Sequence, residues 1–526
     1  MTSPAPLLPP LHARATLWER LRARATSTPR ASRMLSWLSP ALSTLLAAVL
    51  RLVNLAHPHE IMFDETYYVK DAWSLWNLGY EAKWDEGADA RLQNGDAAAL
   101  QAEGSFVVHP PLGKWIIALG MAASGPGSSF GWRVTTALLG ALTVLLVHLV
   151  ALQLTRSQAV AAIASGLLAI DGLGIVMSRI ALLDGILTFF LLLGALFVLL
   201  DRGRTMARLA AVRPRGGPGT DADDAPARMT GPVLWARPWL IAAGITFGAS
   251  AAVKWSGLYA LAAFGLYVVV TDALARRRAG VALWPTDAVF RQGPVSFILS
   301  VGPALVTYLV SWTGWLITAG GYDRQADANP LIALWKYHES ILNFHVGLAT
   351  PHPYASPAWQ WPLLLRPTAI WVADEPAPCG TDHCIAVISS VPNPLIWYAG
   401  VAAAVYLMYR FVRGLIERTP VGPVLTFPLV GLVATYVPWL LVGNRTIFQF
   451  YTIVMMPFLV LALAVALREL AGSVDAPLHR RQAGQRTVAV YLCAVVVISA
   501  FYYPVWTGVS VPYPFWLVHN WLPGWI

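Results

Sequence analysis

A small set of ionisable side chains sits at the ends of long apolar segments: Asp64, Glu65, His109, Lys114, Arg133, Arg179, Asp184, Lys254 and Arg445. Hydropathy and charge put all of them at one membrane face. Charges next to hydrocarbon are costly and tend to be paired or functional. Carboxylates beside several fixed cations are parts that can take a proton from a hydroxyl and hold a phosphate.

Each motif also has a bland reading. In FDETYY (63–68), Asp64 and Glu65 are adjacent, so on a helix they point about 100° apart and should differ in role. One is a candidate general base; the alternative is Asp64 as N-cap with Glu65 in the first turn. In FVVHPPLGKW (106–115), the prolines can start a helix, with His109 just before it and Lys114 in its first turns. A lysine there suits a phosphate or anchors the interface beside Trp115. The stretch is no nucleotide-binding loop, because Val108 and Trp115 break that pattern. In SRIALLDG (178–185), Arg179 can fork onto a phosphate or pair with Asp184. Lys254 in VKWSGLY and Arg445 in VGNRTIFQFY have snorkelling as their alternative. A later stretch (337–367) carries His345, His352, Tyr354, Trp359, Trp361 and Arg366, and reads as an interfacial helix followed by a proline-ordered lid. Its histidine spacing matches no standard metal site.

The elements that must position these groups are membrane helices. The chain has 526 residues, 56% hydrophobic and 12% charged, where soluble domains carry about 25% charged residues. About eleven spans of the required length are expected near 36–56, 132–154, 158–177, 182–201, 237–253, 258–275, 294–318, 394–412, 422–442, 446–468 and 487–507. The net charge of +9 lies mainly in alternate loops, including Arg202–Arg228, Arg276–Arg278, Arg413, Arg418 and Arg480–Arg486. This places those loops and the N-terminal tail (1–35) inside, and it directs the basic balance to the membrane surface, with no nucleic-acid partner expected. The tail is expected to form one short basic helix over Leu17–Ala25. Two long outside loops, 57–131 and 319–393, are expected to carry helices lying on the membrane. The stretch 213–228 reads as a low-complexity linker, and 508–526 as an outside tail rich in Trp, Tyr and Pro. Cys379 and Cys384 share one loop and either form a small disulfide or stay as free thiols; Cys493 lies in an apolar run.

FDETYY after the first span, HPPLGK before the second, SRIALLDG, VKWSGL and the HPYAS…WQWPLLLRP loop together resemble the protein O-mannosyltransferases. The second long loop lacks room for the β-trefoil MIR domain of eukaryotic members, so the chain is similar to the bacterial form. The resemblance implies an all-α polytopic GT-C-type fold, with a catalytic domain over 36–507. It implies a polyprenyl-phosphate mannose donor, Ser/Thr hydroxyls of secreted proteins near the secretion translocon as acceptors, and inverting single displacement. Asp64 matches the base and Glu65 its partner. Arg133, Arg179, Asp184, Lys254, His109, Lys114, Arg445, His352 and Tyr354 fall where donor and substrate are bound. It implies no obligatory cofactor, leaves a divalent metal open, and places the chain in a bacterial plasma membrane with the N-terminus cytoplasmic and the active site and C-terminus outside. Two other readings are a GT-C enzyme acting on a lipid or cell-wall glycan, and a transporter. The absence of paired half-repeats argues against the latter.

Overall fold

The computed structural model describes residues 15–211, 228–443 and 445–526. The linker expected at 213–228 therefore lies outside the described residues apart from Arg228. The fold is helical. Among the described residues, eight helices are long and apolar enough to cross a membrane: Pro29–Leu52, Ser129–Thr155, Leu183–Ala211, Gly257–Arg278, Trp284–Ser311, Pro394–Ile416, Pro423–Leu440 and Leu478–Thr507. The other three expected spans fall on the shorter helices Gln158–Ala169, Pro238–Val253 and Met456–Leu470.

Two of these, and the seventh span, differ from the expectation for local reasons. The third expected span breaks because buried Asp171 caps a new short helix, Gly172–Val176, with its carboxylate on the Gly174 N–H. The tenth begins as a 3₁₀ turn, Gln449–Val454, before the α-helix starts. The seventh is preceded by a π turn, Asp287–Gln292, and its α-helix ends at Ser311.

Two helices at the centre pack with almost no side chain between them. A Cβ added at Gly244 or Gly248 of Pro238–Val253 would lie 2.2 Å from the Ser300 carbonyl or 2.4 Å from that of Ala304. This small-residue spacing lets backbones touch in a bilayer, where no hydrophobic effect drives helices together. At one end of this bundle Arg237 donates to Asp201, Asp272 and Ser296, and Arg276 to Asp287. Asp201 lies far along the helix Leu183–Ala211 from Asp184, so these buried ion pairs are remote from Asp64.

The first long loop holds the helices Glu65–Leu78 and Leu112–Ser124, with a short helix, Ala88–Gln93, and an antiparallel pair of short strands, Ala82–Trp84 and Leu100–Gly104, between them. The second holds the helix Pro330–Gly347 and the strand pair Ala369–Val372 with Val387–Ser389. A further pair, Cys384–Ile385 with Val511–Pro512, ties that loop to the C-terminal segment. The expectation of helices alone missed these strands, which are too short to show a period in the sequence. Cys379 and Cys384 form a disulfide. The short basic helix over Leu17–Ala25 is present, with a Thr16–Glu19 capping box and Glu19 bonded to Arg481.

Candidate active site

The site is built on a buried four-point anchor. Glu65 opens the helix Glu65–Leu78 and is fully buried. Arg133 grips it with two hydrogen bonds, Nε to Oε1 and Nη2 to Oε2, both 2.9 Å. The Met62 and Ala181 N–H groups donate to the remaining lone pairs at 3.0 and 2.8 Å. Arg133 also donates to the carbonyls of Pro58 and Glu60. One carboxylate thus ties together the segment after the first span, the second long helix and the SRIALL turn. Neither Glu65 nor Arg133 keeps a free edge for a substrate.

Arg179 and Lys114 are also committed elsewhere. Arg179 does not pair with Asp184. It donates to the carbonyls of Arg51, Val53 and Asn54 at 2.8–3.0 Å, closing the unsatisfied end of the first span. Lys114, buried at the start of Leu112–Ser124, bonds Glu81, lies 3.5 Å from Asp71 and donates to the His109 carbonyl. Burial pushes the Asp71 carboxyl up to about 6, against the pull of Lys114. Lysine is a point donor and cannot span three carbonyls. Arg179→Lys is therefore expected to lower stability by about 1–3 kcal/mol, read as a drop in Tm in detergent. An unchanged Tm contradicts the capping role.

Asp64 behaves differently from its neighbour. It occupies the N-cap position of Glu65–Leu78, yet its side chain makes no capping bond. Its carboxylate has no hydrogen bond or ion pair among the described residues. It follows Phe63, whose φ of +49° is unusual for an aromatic. The Phe63 ring is held edge-on by His352, Phe448 and Phe450. This collar fixes the backbone that turns Asp64 away from its own helix. Burial pushes the Asp64 carboxyl up to about 6, with Lys254 opposing the rise and Asp184 adding to it.

The cation facing Asp64 is Lys254, and Arg445 lies near Lys254 and Tyr451. Lys254 ends the helix Pro238–Val253 and donates to both oxygens of Asp184 at 2.9 and 3.1 Å. Its ammonium lies 4.2 Å from the centre of the Tyr451 ring. Arg445 donates to His345 Nδ1 at 3.1 Å. The His109 ring lies 5.5 Å from that of His345 and 6.2 Å from that of Tyr68, and its nitrogens make no hydrogen bond among the described residues. Burial and the nearby cations hold His109 well below its ordinary range, so it is neutral at pH 7. Tyr354 lies outside this cluster, under the Arg366 guanidinium. His352 accepts from the Tyr354 N–H and packs on Phe448.

Of the candidate residues, Asp64, Asp184, Lys254, His109 and Arg445 converge on one centre. Glu65, Arg133, Arg179 and Lys114 frame it, His352 packs against Phe63 beside Asp64, and Tyr354 lies outside it. The sequence reading passed over Tyr68, Glu81 and Tyr451. Tyr68 is one helical turn after Asp64, a spacing that could have marked it. Glu81 and Tyr451 carried no local signal. Among the described residues no group of three or more His, Cys, Asp or Glu is placed to hold a metal ion. Beside Lys254, an apolar cavity of about 400 Å³ opens between the bundle and the helix Pro330–Gly347. Trp255, Leu258, Ala304, Tyr308, Trp335 and Leu342 line it.

Helices embedded in a membrane, two structured loops on one face and a carboxylate beside fixed cations define a GT-C-type architecture. The solved S. cerevisiae protein O-mannosyltransferase Pmt1–Pmt2 complex bound to the sugar donor shares it. That likeness has a TM-score of 0.69 at 15% identity and covers 96% of this chain and 94% of that one. Two family models match: dolichyl-phosphate-mannose-protein mannosyltransferase over residues 41–209, and the C-terminal four-TMM region of protein O-mannosyltransferase over 331–525. The polyprenol-phosphate-mannose–protein mannosyltransferase of Mycobacterium tuberculosis is 33% identical over 94% of this chain and 92% of its own length. That of Corynebacterium glutamicum is 29% identical over 88% of each. The chain belongs to the protein O-mannosyltransferase family.

Proposed function

We propose that this protein transfers mannose from a polyprenyl-phosphate mannose to Ser or Thr hydroxyls of proteins outside a bacterial plasma membrane. The observation that carries the reading is the Asp64 carboxylate, turned from its own helix and unbonded, beside the Asp64-facing pair Lys254–Asp184. In an inverting displacement the base and the leaving group act from opposite faces of the sugar. Asp64 accepts the acceptor hydroxyl's proton as the oxygen attacks the anomeric carbon. The carbon–oxygen bond to the lipid phosphate breaks, and Lys254 and Arg445 stabilise the charge left on that phosphate. The phosphate needs no proton to leave.

Asp184 holds Lys254, and Glu65, Arg133, Arg179 and Lys114 act as the frame. The apolar cavity beside Trp255 suits the first prenyl units of the donor, which keeps the phosphate at the Lys254 end. His352 and Tyr354 border the acceptor's approach. The Cys379–Cys384 disulfide favours an oxidising compartment for the second long loop. With the basic loops inside, this supports a site and C-terminus outside and an N-terminus in the cytoplasm.

The test is acceptor competition. Purified protein receives labelled polyprenyl-phosphate mannose with a Thr-rich peptide and a cell-wall glycan together. Label in the peptide is the expected result. Label confined to a lipid or the glycan would leave the fold in place and overturn the acceptor.

A further inference from the structure

The interfacial helix Pro330–Gly347 meets Arg445 through His345. Its Nε2 lies 3.0 Å from the Val108 carbonyl, in the segment just before His109. Its Nδ1 lies 3.1 Å from Arg445 Nη2. Carbonyls only accept and guanidinium groups only donate. The two contacts therefore fix the tautomer: Nε2–H donates to Val108, and bare Nδ1 accepts from Arg445. Proton placement follows from the bonding network. The ring packs against Trp255, next to Lys254, and against His109. Burial and the Arg445 charge hold His345 down at about 4, so the neutral ring persists across the working range. Three chain segments distant in sequence meet at this imidazole.

Arg445 is only partly spoken for. Its guanidinium lies 5.8 Å from the centre of the Trp439 ring, and its Nε is buried with no hydrogen-bond partner. A buried guanidinium N–H without an acceptor is a costly arrangement unless an anion completes it. No carboxylate pairs with Arg445 among the described residues, unlike Lys254, Lys114 and Arg133.

We infer that His345 is a positioning residue for the donor: as a neutral imidazole tied to Val108, it fixes the Arg445 guanidinium so that its open donors meet the lipid phosphate. This rests on the reading of the site as one for a phosphate-linked lipid. The interfacial helix then has a defined task, since its docking over the cavity also sets the second cation.

The experiment measures two quantities on purified protein: binding of a short-chain polyprenyl phosphate, and donor and peptide KM in the transfer assay. His345→Phe keeps a planar ring and removes both bonds. It is expected to weaken polyprenyl-phosphate binding and raise donor KM about ten- to a hundredfold, the size of one hydrogen bond to a charged group, with peptide KM unchanged. His345→Gln, whose amide both donates and accepts, should recover most of the loss. In an Arg445→Gln background, His345→Phe should cost nothing more. If His345→Phe does not accumulate, His345→Asn, too short to span Val108 and Arg445, takes its place with the same expected loss. Unchanged binding, or losses that multiply with Arg445→Gln, would overturn the inference. Binding is read without an acceptor, so failure of the peptide assay alone leaves the clamp standing. A wild type that binds no polyprenyl phosphate removes the clamp and the phosphate reading together.

Discussion

Asp64→Asn should lower mannosyl transfer by about 10²–10⁴-fold, the span of a lost general base, while Tm and donor binding stay near wild type. The asparagine is isosteric and the Asp64 carboxylate makes no bond that the fold depends on, so little stability is at stake. The effect should fall on kcat, because the proton moves only as the bond to the sugar forms. The same carboxyl sets a pH dependence. Burial raises it to about 6, so the protonated form dominates below that value and cannot accept a proton. Transfer by wild type should rise with pH through about 6 and then level off. The residual rate of Asp64→Asn should lack that limb. A variant that lost its fold along with its activity, or that kept the limb, would assign the base elsewhere.

Glu65→Gln, one residue along, should fail in the opposite way. Its carboxylate is fully buried and meets Arg133 at two points, with two backbone N–H groups on the other lone pairs. Removing that charge leaves the Arg133 guanidinium buried and unpaired, which costs about 3–5 kcal/mol. It also turns an acceptor into an NH₂ group facing donors. The expected result is a large drop in Tm and poor accumulation in membranes, with any surviving protein keeping the Asp64 pH limb. Arg133→Met should fare no better, because Glu65 is then the stranded charge. Restored stability in the Glu65→Gln, Arg133→Met double variant would confirm the pairing. A stable Glu65→Gln enzyme with a lost pH limb would reverse the two roles.

The contrast between these neighbours shows what the sequence could and could not convey. Adjacent residues on a helix face different ways, so the divergence of Asp64 and Glu65 was legible from FDETYY alone. Which one faced the opening was not, because that depends on Arg133 and Ala181, distant in the chain. Convergence of the charged groups on one face was expected from hydropathy and loop charge; in the structure Asp64, Asp184, Lys254, His109 and Arg445 lie near one another. The roles of Arg179 and Lys114 were hidden for a different reason. An arginine that caps a helix end and one that holds a phosphate look alike until the acceptors are known. Here they are the carbonyls of 51–54 for Arg179, and Glu81 with Asp71 for Lys114.

The apolar helices were legible for a physical reason. A bilayer satisfies no backbone group, so each crossing must be a regular helix of sufficient length. Where protein replaces lipid the rule relaxes, and there the expected spans fail. The break at Asp171 and the 3₁₀ turn at Gln449–Val454 are both buried. Short strands in the outer loops obey no long period. His345 was visible as a histidine but not as a clamp, because its partners Val108 and Arg445 lie 237 and 100 residues away in the chain.

The most direct test of the central claim is the anomeric configuration of the product. Wild-type protein is given polyprenyl-phosphate mannose of known anomeric form and a Thr-rich peptide, and the mannosyl-threonine linkage is assigned by NMR. Asp64 acting as a base in a single displacement predicts a linkage inverted relative to the donor. Retained configuration would mean two displacements through a covalent intermediate, with Asp64 or another carboxylate as nucleophile, and would contradict the account.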